Sequence, residues 1–136
     1  MRVSAKVDYA LRAMTELAAA APSLVTGEQL AARQQIPPKF LENILAQLRN
    51  GGLVASQRGA EGGYQLARPA EEISVADVIR ELEGPIATVR GVRPDELAYE
   101  GAAEGLRDVW LELRTQIRGV LEQTTLADIA AAQRKA

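Results

Sequence analysis

Apolar positions along the chain recur with two periods, and each change of period marks an element boundary. Val7, Ala10, Leu11, Met14, Leu17, Ala18 and Ala21 repeat at three and four residues. This predicts a helix from Ser4 to about Ala20, with Ser4 as N-cap and Pro22-Ser23 as its end. Thr26-Gly27-Glu28-Gln29 has the form of a capping box, in which the hydroxyl accepts from the amide three residues on and Gln29 reaches back. A short helix therefore follows from Thr26, with Leu30, Ala31 and Ile36 on its inner face. Gln34-Gln35-Ile36-Pro37 is a tight connection. Pro38, favoured at a first helical position, opens a third helix that runs to Asn50 and stops at Gly51.

In this third helix Leu41, Ile44, Leu45 and Leu48 form one apolar stripe. At about 100° per residue, Lys39, Asn43, Ala46 and Asn50 point away from it, and Glu42 and Gln47 flank that outer face. Leu53–Arg58 and Tyr64–Ala67 read as two strands joined by Gly59-Ala60-Glu61-Gly62-Gly63, a hairpin with a glycine-rich tip. Ser74 caps a helix from Val75 to Glu83, with Val75, Val78, Ile79 and Leu82 inward, and Gly84-Pro85 breaks it. Residues 85–103 lack periodicity. Glu104 to Gln123 is the longest helical pattern, and Leu106, Val109, Trp110, Leu113, Ile117, Val120 and Leu121 make its seam. Thr125 to Ala132 reads as a last short helix with Leu126 and Ile129 inward.

The implied fold is mainly α with a small β-hairpin wing, a winged helix-turn-helix, followed by a long C-terminal dimerisation helix. It divides into a DNA-binding region at 1–84, a connection at 85–103 and a dimerisation helix with tail at 104–136. The third helix offers a short polar face on an apolar base, a shape that enters a major groove about 12 Å wide. Lys39 and Arg58 supply cations, and Glu42, Asn43 and Gln47 supply groups able to read base edges. Spacing alone leaves a second reading open, a winged-helix module for protein contacts. A long separate helix carrying Trp110 is better used between subunits than in a monomer core. Leu106, Val109, Trp110, Leu113, Ile117 and Leu121 are the candidate dimer residues, and two-fold symmetry would suit a near-palindromic site in double-stranded DNA.

Composition narrows this picture. Apolar residues make up 47% and charged residues 25% of the 136, enough for a real core. No run is long enough to span a bilayer, and the N-terminus does not read as a signal peptide, so a cytoplasmic protein is expected. The chain has no cysteine and no histidine, which removes disulfides, thiolate nucleophiles, imidazole bases and Cys/His metal sites. An enzyme built on Asp95, Glu96, Tyr99 or Glu100, all in the connection, ranks last; no enzyme, cofactor or metal is expected. The net charge of −2 hides an asymmetry. Residues 1–68 hold eight Lys/Arg against five Asp/Glu, and residues 69–136 hold eight against thirteen. The front half is thus the end suited to an anionic partner. The Gly59–Gly63 loop is not a phosphate loop, because it leads into a strand and not into a helix N-terminus.

Several stretches together resemble one family. They are Tyr9-Ala10-Leu11-Arg12-Ala13-Met14, Leu48-Arg49-Asn50-Gly51-Gly52-Leu53-Val54, and Arg58-Gly59-Ala60-Glu61-Gly62-Gly63-Tyr64-Gln65-Leu66-Ala67. Ser74–Ile79, Glu83-Gly84-Pro85, Trp110 and Thr125–Ile129 also match. From Met1 to about Ile129 the chain resembles the Rrf-two family of bacterial winged helix-turn-helix regulators (IscR-, NsrR- and CymR-like proteins). The resemblance implies base reading at Lys39 and Glu42, and a wing contact to the minor groove at Arg58. Cluster-binding members carry three cysteines between the fourth helix and the dimer helix. Here residues 89–104 hold none, so the resemblance implies a regulator without an iron–sulfur cluster. Arg90, Arg93, Asp95, Glu96 and Tyr99 are the candidate effector region, open to a small molecule or protein.

Overall fold

The computed structural model of the chain describes residues 2–133. Residue 1 and residues 134–136, the outer ends of the first and last regions expected from the pattern, lie outside it. The helices are α1 (Ala5–Ala20), α2 (Gly27–Gln34), α3 (Pro38–Asn50), α4 (Val75–Glu83), α5 (Leu106–Gln123) and α6 (Leu126–Ala131). Strands β1 (Val54–Gln57) and β2 (Gly63–Leu66) form one antiparallel hairpin, with Val54 opposite Leu66 and Gln57 opposite Gly63. The first expected strand, Leu53–Arg58, is longer than β1, and the second, Tyr64–Ala67, is displaced by one residue from β2. At its start β1 is shortened because the Leu53 amide donates to Leu48 O at the end of α3, leaving only the Ala67 amide to Leu53 O bond beyond Val54, and at its other end Arg58 already belongs to the tip. The connection is also less irregular than its sequence suggests, with single 3₁₀ turns at Pro94–Glu96 and Gly101–Ala103 and a tight turn between Val89 and Val92. The long helix starts at Leu106 and not at Glu104, because the Gly101–Ala103 turn and Gly105 precede it.

Local chemistry accounts for the helix starts. Ser4 Oγ accepts from the Val7 amide, and Thr26 with Gln29 closes the expected capping box. Ser74 with Asp77 and Thr125 with Asp128 make two further boxes, each with an aspartate as the returning partner. Each box satisfies two helix-end amides that would otherwise lack partners.

The core gathers the apolar stripes of the front half. Ala10, Ala13, Met14 and Leu17 of α1, Leu30 of α2, Leu41, Ile44, Leu45 and Leu48 of α3, and Val78 of α4 are all at most 1% exposed. Burial of each large side chain contributes about 1.5–3 kcal/mol, so these stripes fix how α1, α2 and α3 meet. Leu126 of α6 is also fully buried in this cluster, although it follows the long helix. The chain returns there by pairing with the entry to α4. The Val75 amide donates to Thr124 O at 2.9 Å, and the Leu126 amide donates to Ile73 O at 3.0 Å. From that point α6 lies along α1.

The long helix α5 is different in kind. It packs chiefly against α4 and the Pro94–Glu96 turn, and none of its 18 residues is buried. No helix among the described residues is long and apolar enough to cross a membrane.

Candidate nucleic-acid interface

The turn into α3, the candidate reading helix, is braced by contacts from α1. The link from α2 to α3 turns on Gln35, whose φ of 52° is left-handed, and the Ile36 amide donates to Ala31 O. A non-glycine residue in that region is costly and needs surrounding structure to hold it. Here α1 does the holding. Arg12 Nη1 donates to Gln34 O at 3.1 Å, and Gln34 Nε2 donates to Glu16 at 3.1 Å. Arg12 is itself oriented by Asp8 at 2.8 Å and lies over the Tyr9 ring, 4.7 Å from its centroid. Tyr9 in turn meets Phe40 of α3 edge-on at 5.5 Å. Sequence reasoning missed this tether. The Asp8–Arg12 spacing of four is visible in the chain, but the reach of Arg12 to residue 34 is not.

On the surface of α3 that this frame presents, Lys39, Glu42, Asn43 and Gln47 are all exposed. Leu41, Ile44, Leu45 and Leu48 lie beneath them. Lys39 and Glu42 line a shallow groove with Thr26, Gly27 and Tyr64, where α2, α3 and β2 meet. The wing is pinned beside them. The Tyr64 amide donates to Val25 O at 2.7 Å, and Val25 donates back to Tyr64 O at 3.0 Å. Arg58 stands exposed just after β1, at the start of the tip. A further cation joins the set: Arg49, exposed on the last turn of α3, reaches Ser56 Oγ of β1 at 3.3 Å. The pattern reading overlooked Arg49 because it lies at the side of the polar face and not at its centre.

The glycines of the wing answer steric demands. A Cβ on Gly62 would stand 2.1 Å from Gln57 O, and one on Gly63 would stand 2.8 Å from Val25 O, with φ there at +153°. Gly59 has φ +113° and open space around it. The loop is therefore a tight hairpin tip pressed against the segment before α2.

The candidate effector residues are dispersed. Arg90 occupies a turn tip at φ 53°, followed by Gly91 at φ 74°. Tyr99 Oη accepts from Trp110 Nε1 at 3.0 Å, which ties the connection to α5. Glu96 is exposed. Arg93 and Asp95 alone come together, at one wall of an open cleft of about 1030 Å³ between α4 and α5. Arg114 Nη1 pairs with Asp95 at 2.8 Å, and that hydrogen bond, aided by a backbone bond, holds the Asp95 carboxyl below its ordinary value. Glu122 is likewise held low, first by Arg118 at 2.7 Å and then by Arg80 of α4.

The candidate dimer residues share one stripe of α5. Val109 is 55% exposed and Leu106 36%, while Trp110, Leu113, Ile117 and Leu121 are half-buried. Val120, on the same stripe, is 65% exposed.

This arrangement, a braced short helix with a polar face beside a pinned two-stranded wing, has relatives. The Rrf2 family model, described as iron-dependent transcriptional regulators, matches residues 3–132. The chain belongs to the Rrf2 family. It is 55% identical over 131 residues to a candidate HTH-type transcriptional regulator of Mycobacterium tuberculosis, covering 96% of this chain and 81% of that one. It is 37% identical over 132 residues to the HTH-type transcriptional regulator CymR of Bacillus subtilis, covering 96% and 91%. Among solved structures, CymR of B. subtilis, described as a global cysteine regulator, matches with a TM-score of 0.85 at 34% identity, over 98% of this chain and 99% of that one. IscR of T. potens matches with a TM-score of 0.78 at 34% identity, over 100% and 94%. The winged-helix regulator fold expected from the residues is thus the fold observed, and the reading as a protein-contact module is not favoured. The iron in the family's description does not fit this member's donor set. The chain has no cysteine or histidine, and no group of three or more Asp/Glu among the described residues can hold a metal.

Proposed function

We propose that this Rrf2 regulator is a cytoplasmic, homodimeric repressor, without enzymatic activity, that reads a near-palindromic operator. The observation that carries the reading is the outer face of α3, where Lys39, Glu42, Asn43 and Gln47 stand exposed on four buried leucine and isoleucine side chains. Such a helix enters a major groove as a rigid unit, with Lys39 toward phosphate or guanine and Asn43, Gln47 and Glu42 toward base edges. Arg58 at the wing suits an adjacent minor groove, and Arg49 suits the backbone between them. The exposed stripe of α5 supports a two-fold partner, which would set two reading helices about one helical turn apart. Residues 86–104 join the two regions and are the proposed place of control by an effector.

The test is binding of the full chain to genomic fragments by fluorescence anisotropy across a salt series. Affinity is expected to fall by about tenfold or more between about 50 and 200 mM salt, as several phosphate counterions are released. Failure to bind any fragment, or an affinity indifferent to salt, would overturn the reading.

A further inference from the structure

The chain's one phenylalanine stands at the edge of the candidate reading face. Phe40 lies in the first turn of α3 and is 42% exposed. It takes no part in the hydrophobic core. The other exposed large apolar side chains among the described residues lie elsewhere, Val3 before α1 and Leu106, Val109 and Val120 on α5. At about 100° per residue, Phe40 shares one row along the helix with Asn43 and Gln47, three and seven residues on, and both of these are exposed. The other edge of the same face carries Glu42 and Arg49, and Arg49 turns to the wing at Ser56. The polar face of α3 is thus charged on its wing side and aromatic on its α1 side.

A lone apolar side chain on a surface is ordinary. This one is set apart by its place and by how it is held. Tyr9 of α1 meets the ring edge-on, with centroids 5.5 Å apart and planes at 84°, and Arg12 lies over Tyr9. The ring is therefore braced before any partner arrives, and less rotamer freedom is lost on contact. The N-terminal residues of a reading helix are also the ones that contact base edges in the major groove. Those edges carry one apolar group, the C5 methyl of thymine, which cytosine lacks. We infer that Phe40 packs on this methyl and is a specificity-determining residue, selecting thymine at one position of each operator half-site.

The inference rests on the reading of α3 as the helix that enters the major groove, and it gives that face an apolar determinant beside its polar ones. Asn43 and Gln47 distinguish bases through hydrogen bonds. A phenyl ring has no such donor or acceptor, so it separates thymine from cytosine by burying the methyl. Burial of one such group is worth about fourfold in affinity, from about 0.8 kcal/mol. Cytosine in the same place would turn its amino group toward the ring and leave that donor without a partner, which sharpens the preference.

The test uses the full chain and a genomic duplex that it binds, followed by fluorescence anisotropy. Each thymine of one half-site is replaced in turn by deoxyuridine, which removes the methyl and nothing else. At one position the parent chain is expected to lose about fourfold in affinity. Phe40→Ala and Phe40→Gln are expected to bind the unmodified duplex more weakly by a similar factor, and to lose less than about twofold on the same replacement. Phe40→Leu keeps an apolar contact and should retain part of the discrimination. Phe40 is exposed and outside the core, so circular dichroism of the variants should match the parent. A parent indifferent to every replacement, or Ala and Gln variants as sensitive as the parent at every thymine, would overturn the inference. So would variants changed only in association state by light scattering, since a second copy would then be what covers the ring. Failure of the α3 reading shows differently. Asn43→Ala with Gln47→Ala would then leave binding of the unmodified duplex unchanged, an outcome that also overturns the inference but is recognised without any modified base.

Discussion

A single hydrogen atom in place of a methyl group decides the wing. Gly63 lies where β2 approaches the segment before α2, and its φ of +153° is one that L side chains rarely adopt. Gly63→Ala is expected to lower stability by on the order of 2 kcal/mol or more, from backbone strain and from the contact with Val25 O. Gly59→Ala, at φ +113° with nothing within 4 Å, carries the strain alone and is expected to cost about 1 kcal/mol. Urea denaturation of the two variants checks the order, and equal losses would mean that the close approach to Val25 is not what holds the wing. Arg58 illustrates the opposite kind of residue, one with no structural partner among the hydrogen bonds and ion pairs of the described residues. Arg58→Ala should leave stability unchanged and weaken operator binding by about 1–3 kcal/mol. Anisotropy titrations against cognate and scrambled fragments check it, and undiminished binding to both would remove the wing from the interface.

Among the elements, α5 packs on α4 and the Pro94–Glu96 turn, and two ion pairs add to that packing. Arg80 of α4 meets Glu122, and Asp95 of the connection meets Arg114. Both carboxyl groups are held below their ordinary values of 3.8 and 4.5. A carboxylate with a lowered folded pKa contributes stability that is present above its ordinary value and lost as pH falls through the folded value. The attachment of α5 is therefore expected to weaken as pH drops below 4.5. Both carboxylates are substantially exposed, so salt should blunt the effect. Stability measured by denaturant at several pH values should fall less steeply in Asp95→Asn/Glu122→Gln than in the parent chain over this window. Parallel curves would show that these pairs do not fasten the helix.

At the scale of the whole molecule, the stripe on α5 is only half covered within one chain. An 18-residue helix in which no residue is fully buried has used only part of the apolar face on which helix stability in proteins mostly depends. A second copy covers the stripe in the proposed dimer. Val109 is 55% exposed in one chain, so Val109→Glu should not disturb the protomer core. It should raise the dimer dissociation constant by on the order of 100-fold or more, because a carboxylate would enter a desolvated seam. Light scattering at micromolar concentration checks this. A parent chain that ran as a monomer, or a variant that dimerised as well as the parent, would refute the assignment of the stripe.

Features governed by near neighbours in sequence were legible without coordinates. Helical period, the Thr26–Gln29 capping box, Pro38 at a helix start and the apolar stripe of α3 depend on groups within four residues, and all stand where the pattern predicts them. The outward positions of Lys39, Glu42, Asn43 and Gln47 follow from the same period, since burying one face of a helix exposes the other. The missing cysteines and histidines were likewise plain, because donor chemistry needs no geometry to be absent. What the chain could not declare were contacts between residues far apart in sequence. The return of Leu126 to the core of α1, the reach of Arg12 to the α2–α3 turn and the meeting of Arg80 with Glu122 each join segments at least 22 residues apart. No local period encodes such a pairing. It is decided when the stripes of α1, α3 and α4 bury together, and that burial places charged side chains opposite one another whose spacing along the chain carries no signal.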